Sequence, residues 1–98
     1  MTQRIEKGTA MKLKGEFVLR EVAGENILIP VGETALKFNG MITLDPVGAV
    51  IWSALGKRKG REEILQEILS RFDVEMQTAL DDLDSFLEQL QKADLLER

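Results

Sequence analysis

The stretch NGMITLDPVGAVIW, Asn39 to Trp52, decides the fold because its periodicity changes part-way along. Asn39-Gly40 is a strong turn signal, since both residues tolerate positive φ. MITL, with its β-branched centre, then reads as a short strand. A strand this short at the margin of a small sheet leaves a row of unpaired backbone groups. Next, Asp45 can accept hydrogen bonds from the exposed N–H groups of a helix's first turn, and Pro46 suits the first helical position. Val47, Val50, Ile51, Ala54 and Leu55 recur at helical spacing, and Trp52 extends the apolar arc. Gly48 allows close approach of another element, and Gly56 ends the helix. A single tryptophan on such a face reads as core. A stacking platform for a base would need cationic and aromatic neighbours, and neither is close in sequence.

Upstream, EFVLREV alternates Phe17, Leu19 and Glu21 against Val18, Arg20 and Val22, and NILIPV follows after the short polar AGEN. Two β-rich runs around a tight turn form a hairpin. Pro30 cannot donate to a ladder and so marks a strand end or an edge. Residues 1–11 are polar and aperiodic and are expected to form a flexible arm ahead of a single domain over 12–98.

Downstream, a second helix is expected from Arg61 to Phe72, with Ile64, Leu65, Ile68, Leu69 and Phe72 as its stripe. Gly60 and Glu63 form a capping box that retains only its Glu half. A third helix runs from about Glu75 or Met76 to Ala93. Its apolar set of Ala79, Leu80, Leu83, Phe86, Leu87 and Leu90 spans roughly 120°. Phe86 lies at one margin of that arc, with Asp82 and Gln89 just outside it. Leu95 and Leu96 then return to the core. Three strands followed by three helices make an α+β fold, with the bundle packed on one face of the sheet.

Composition narrows the chemistry. The 98 residues are 44% hydrophobic and 31% charged, within the range of a single globular domain. No apolar run approaches the roughly 20 residues of a membrane span, and the first residues lack the apolar core of a secretory signal. A cytoplasmic protein is expected. The chain has no cysteine and no histidine, which removes thiol nucleophiles, the usual metal ligands and the usual general base. No glycine-rich phosphate loop, calcium loop or nucleophile elbow is present. No catalytic residue, metal ligand or cofactor is expected, and the chain reads as a non-enzyme.

Net charge is −4, which opposes tracking of phosphates. A winged helix would place a helix in the major groove. Here the third helix and its flanks carry Glu75, Asp81, Asp82, Asp84, Glu88 and Asp94 against Lys92, so nucleic acid would be repelled. The exception is KRKGR, Lys57 to Arg61, which is either a solvated loop or a docking patch for an acidic partner.

What remains is recognition of a polypeptide. An extended peptide can add to the MITL edge through main-chain hydrogen bonds, with alternate side chains entering a groove against the third helix. Ordering about eight peptide residues costs on the order of 8–16 kcal/mol. Around five hydrogen bonds return ~5 kcal/mol, and three apolar anchors roughly 5–9 kcal/mol. Docking has its own cost, so the peptide should be partly preordered or held at high local concentration by a second protein. From the pattern alone two states of this groove stay open: a vacant slot, or one closed over by sheet and helix.

These residues resemble the PqqD family, named for coenzyme PQQ synthesis protein D, whose members are also called RiPP recognition elements. The similarity covers roughly Lys12 to Glu97. It is carried by FVLREVAGENILIPVGETALKFNGMITLDPVGAVIW, by REEILQEILSRFDVE, and by Asp82-Leu83-x-x-Phe86-Leu87-x-x-Leu90. The resemblance implies a winged-helix-like fold, a three-stranded antiparallel sheet followed by a three-helix bundle. It also implies a non-catalytic chaperone that binds the leader segment of a ribosomally made precursor peptide. Such proteins present the leader to a modifying enzyme, often a radical S-adenosylmethionine protein. The family's leader adds as a strand beside the third strand and packs on the third helix. Carried over, the strand positions are Asn39, Gly40, Met41, Ile42 and Thr43, and the helix positions are Asp82, Ser85, Phe86, Gln89 and Leu90.

Three positions depart from the family pattern. Asp45 replaces a usual Asn, Gly60 a usual Ser or Thr cap, and Asp94 a usual Gly, which leaves the placement of Leu95-Leu96 open. A module that binds a folded protein partner is the alternative function. The oligomer is a monomer or a strand-exchanged dimer.

Overall fold

The computed structural model describes residues 11–97. Its hairpin forms where the alternation places it. Strand β2 (Phe17–Val22) pairs antiparallel with β3 (Glu25–Pro30) in the register Val22↔Glu25 to Phe17↔Pro30. Ala23 and Gly24 make the two-residue turn with φ of 54° and 83°. Positive φ at both positions matches the right-handed twist of the strands, although alanine is a poor occupant of that region. Pro30 ends β3, as a residue without an N–H donor should.

Strand β4 (Ile42–Leu44) pairs antiparallel with β3, giving the sheet order β2-β3-β4. The link between β3 and β4 is longer than a turn and holds a five-residue helix, α1 (Glu33–Lys37). The Thr34 hydroxyl accepts a hydrogen bond from the Glu16 N–H at 2.7 Å and ties α1 to the start of β2. Gly40 takes φ 110° just before β4.

Helix α2 (Pro46–Gly56) begins as its cap dictates, with the Asp45 carboxylate accepting from the Gly48 N–H at 2.7 Å. Helix α3 (Arg61–Arg71) keeps only the acidic half of its box, in which the Gly60 N–H donates to Glu63 at 3.1 Å. Helix α4 (Met76–Lys92) is the longest. After it Asp94 adopts φ 61°, the Leu95 N–H returns to the Leu90 carbonyl at 2.8 Å, and the chain reverses. An aspartate therefore does fill the left-handed position, and its carboxylate meets Lys14 Nζ at 2.7 Å.

That reversal makes a second, two-stranded sheet. Strand β5 (Leu96–Glu97) pairs with β1 (Lys12–Leu13), and Leu95 and Leu96 are both buried. The three-strand reading did not include this pair. Residues 1–10 of the expected arm lie outside the described residues. Met11, its last position, is buried in the core.

The core joins Leu28 and Leu44 of the sheet to one stripe of each long helix. Ile51 and Leu55 come from α2, Ile64 and Ile68 from α3, and Leu83 and Leu87 from α4. Trp52 is 8% exposed and stands edge-on to Phe17, with ring centroids 5.6 Å apart. It is a core residue.

Candidate peptide-binding site

Strand β4 has one partner. Among the described residues only β3 pairs with it, so its other edge carries no strand. Ile42 is half-buried, Thr43 exposed and Leu44 buried, as expected for a strand with one face on the core. Asn39, Gly40 and Met41 lie in the approach to the strand, and the Met41 side chain is 65% exposed.

The chain then turns directly into a wall. A depression of about 140 Å³ opens at the residue after Leu44. Asp45, Val47, Gly48 and Ile51 line it from the start of α2, and Asp82, Ser85, Phe86 and Gln89 line it from α4. At about 100° per residue, those four α4 positions form one strip beside the buried stripe. Phe86 is the half-buried margin of the strip, and Asp82, Ser85 and Gln89 are exposed.

Gly48 holds the two walls together. A Cβ built there would lie 3.2 Å from Phe86 Cε1, 3.1 Å from the capping Asp45 oxygen and 3.6 Å from Leu44 Cβ. The Phe86 ring therefore lies over the first turn of α2, where a Cβ would require its neighbours to give by a few tenths of an ångström.

The site's charges divide into used and available carboxylates. Asp84 is bound by Arg61 through contacts of 2.8–3.1 Å, which tie α3 to α4. Asp81 accepts from Gln77 at 2.9 Å. Asp82, on the groove, has no ion-pair partner among the described residues. The groups held away from their ordinary values lie elsewhere. Lys14 is raised by its hydrogen bond to Asp94, and Glu67 is lowered by its hydrogen bond from Lys59.

Asp82, Ser85, Phe86 and Gln89 thus share one depression. Leu90 does not join them: it is 5% exposed and packs in the core. It lies near the middle of the apolar arc, close in angle to Leu83, so this position is corrected from groove to core. The α2 wall of Asp45, Val47, Gly48 and Ile51 was absent from the sequence-derived set. Its signal was the glycine inside an apolar helix turn, directly after a strand.

A larger depression of about 570 Å³ opens between the β1–β2 connection, α1 and the chain after α4. No residue of β4, α2 or the Asp82–Gln89 strip lines it. Size alone does not identify the site.

Residues 17–96 match the family described as Coenzyme PQQ synthesis protein D (PqqD). The chain belongs to the PqqD family. Two solved structures are similar to this PqqD-family chain. TbiB1, in complex with the TbiA(beta) leader peptide, is 31% identical with a TM-score of 0.67, over 88% of this chain and 94% of that one. Lasso peptide synthetase B1, complexed with the leader peptide, is 16% identical with a TM-score of 0.68, over 91% and 99%. At the lower identity the likeness is one of fold. No curated protein is similar enough to this chain to match. Among the described residues, no helix is long and apolar enough to cross a membrane, and no three His, Cys, Asp or Glu side chains are grouped to hold a metal ion.

Proposed function

We propose that this chain is a non-catalytic chaperone, working in the cytoplasm, for the leader segment of a ribosomally made precursor peptide. The leader adds as a strand to the outer edge of β4 and sets an apolar side chain into the depression between α2 and α4. The bound precursor is then presented to a modifying enzyme, with a radical S-adenosylmethionine protein as the expected class. The observation that carries this reading is the juxtaposition at Leu44-Asp45: a strand edge without a partner runs directly into a walled slot. Main-chain pairing supplies affinity there, and the slot supplies side-chain selection. Membership of the PqqD family and the leader complex of TbiB1 support it.

The test is titration of a fluorescent leader peptide, taken from the precursor encoded beside this chain's gene, with and without the neighbouring modifying enzyme. Saturable micromolar binding is expected. Absence of binding in both arms overturns the reading.

A further inference from the structure

The chain is acidic, yet one side of the α2–α3 pair is basic. Lys57, Arg58 and Lys59 follow α2, and Arg71 closes α3. Glu67 is the carboxylate set among them, and it is shared between Lys59 at 3.0 Å and Arg71 at 2.9 Å. Its carboxyl is held below the ordinary value first by the Lys59 hydrogen bond, then by the charges of Lys59, Arg71 and Lys57. Of the nearby acids on α3, Glu63 caps Gly60 and Glu62 accepts from Gln66, while Arg61 is turned onto Asp84. Lys57 and Arg58 are exposed and have no ion-pair partner among the described residues.

Arg58 also stands at φ 63°, the left-handed position after a helix that glycine fills most easily. A cation at an exposed helix C-terminus is attracted by the helix dipole, but only weakly in salt. The charge is therefore placed where the backbone resists any side chain.

A floor of small side chains adjoins Lys57 and Arg71. A depression of about 320 Å³ between α2 and α3 is lined by Ala49, Val50, Ser53 and Ala54, with Lys57, Glu67 and Arg71 at its rim. Around α2, at about 100° per residue, Ala49, Val50, Ser53 and Lys57 centre roughly 150° from Val47, Gly48 and Ile51. The two depressions occupy different sides of the same helix.

We infer that the Lys57–Arg58–Arg71 surface docks an acidic segment of a partner protein, with an apolar residue of that segment seated over Val50, while the groove beside β4 stays open to its own ligand. Charge complementarity selects the occupant. The patch is small, and carboxylates elsewhere on α3 and α4 repel an extended polyanion such as a nucleic acid. A flat anionic membrane would meet the same acids. A short acidic segment touches the patch alone.

The experiment uses the full chain and a short fluorescent peptide in which glutamates flank a Leu-Phe pair. Its lysine-for-glutamate counterpart, a short DNA duplex and phosphatidylserine vesicles are run alongside. Saturable binding of the acidic peptide is expected, weakened by added salt and reduced about tenfold by Lys57→Glu with Arg58→Glu. Arg58→Gly should also weaken binding while raising the thermal midpoint, which separates loss of charge from loss of fold. Leader titration should be unchanged in both variants, so failure at one surface is distinguishable from failure at the other. No binding of the acidic peptide, equal binding by the charge-reversed variant, or tighter binding of DNA or vesicles overturns the inference.

Discussion

The three-stranded sheet has two outer edges, and they are built differently. β2 is six residues long, ends in a two-residue hairpin, and displays exposed Arg20 and Glu21. β4 is three residues long, and the residue after it caps a helix and lines a slot. Neither edge has a second strand partner among the described residues. Both offer unpaired backbone groups, but charged side chains on an exposed edge discourage extension. Pairing capacity is thus common to both edges; β4 continues into the slot between α2 and α4, whereas the depression beside the start of β2 is walled by α1 and the chain after α4. On the proposed reading, the slot makes that edge selective.

The largest expected effect breaks this comparison directly. Neighbouring residues of a strand send their N–H groups to opposite sides, so of Ile42 and Thr43 one faces β3 and one faces outward. Proline at the outward position should weaken leader binding at least about tenfold, or ~1.4 kcal/mol, with far-UV circular dichroism retained. Proline at the outward position among Arg20 and Glu21 of β2 should leave affinity within about twofold in the same titration. Equal losses at the two edges would mean that the slot contributes nothing.

Removing the wall comes next. Phe86→Ala should lower leader affinity several-fold and, because the ring is half-buried, cost about 2 kcal/mol of stability in urea unfolding. Filling the wall is a smaller change that sharpens the point. Gly48→Ala pushes against Phe86 and the Asp45 cap. Alanine favours the helix over glycine by about 1 kcal/mol, which should offset the crowding, so affinity falls by a few-fold while the unfolding midpoint barely moves. The smallest effect tests the opposite end of the sheet. Ala23→Gly relieves the positive φ of the hairpin turn and should add roughly 0.5–1 kcal/mol, a few degrees in thermal unfolding, with leader binding unchanged.

Much of this was legible in the residues. The hairpin, the Asp45-Pro46 helix start and the α4 stripe each follow from a local rule, because alternation, capping and helical spacing act within a few residues. Phe86, with Asp82 and Gln89 beside it, was legible for the same reason, as the margin of an apolar arc, whereas Ser85 followed only from the family resemblance. Other features depend on distant partners. β1 and β5 have two residues each, too few for any periodicity, and exist only because Asp94 turns the chain back onto Lys12-Leu13. Helix α1 is shorter than two turns and leans on Glu16 through Thr34. The α2 wall became visible only once Phe86 was seen over Gly48. Leu90 was placed in the groove by the family resemblance, but it is buried in the core, as its position in the apolar arc implies.

The clasp between β1 and β5 has a consequence for how the molecule assembles. Lys12 lies opposite Glu97, so two strand fragments close a ring containing nearly the whole described chain. Closing so large a ring carries a high entropy cost for very few bonds. During synthesis the ring can shut only once Leu96 and Glu97 have left the ribosome, after the hairpin residues Phe17–Pro30 are already free to pair.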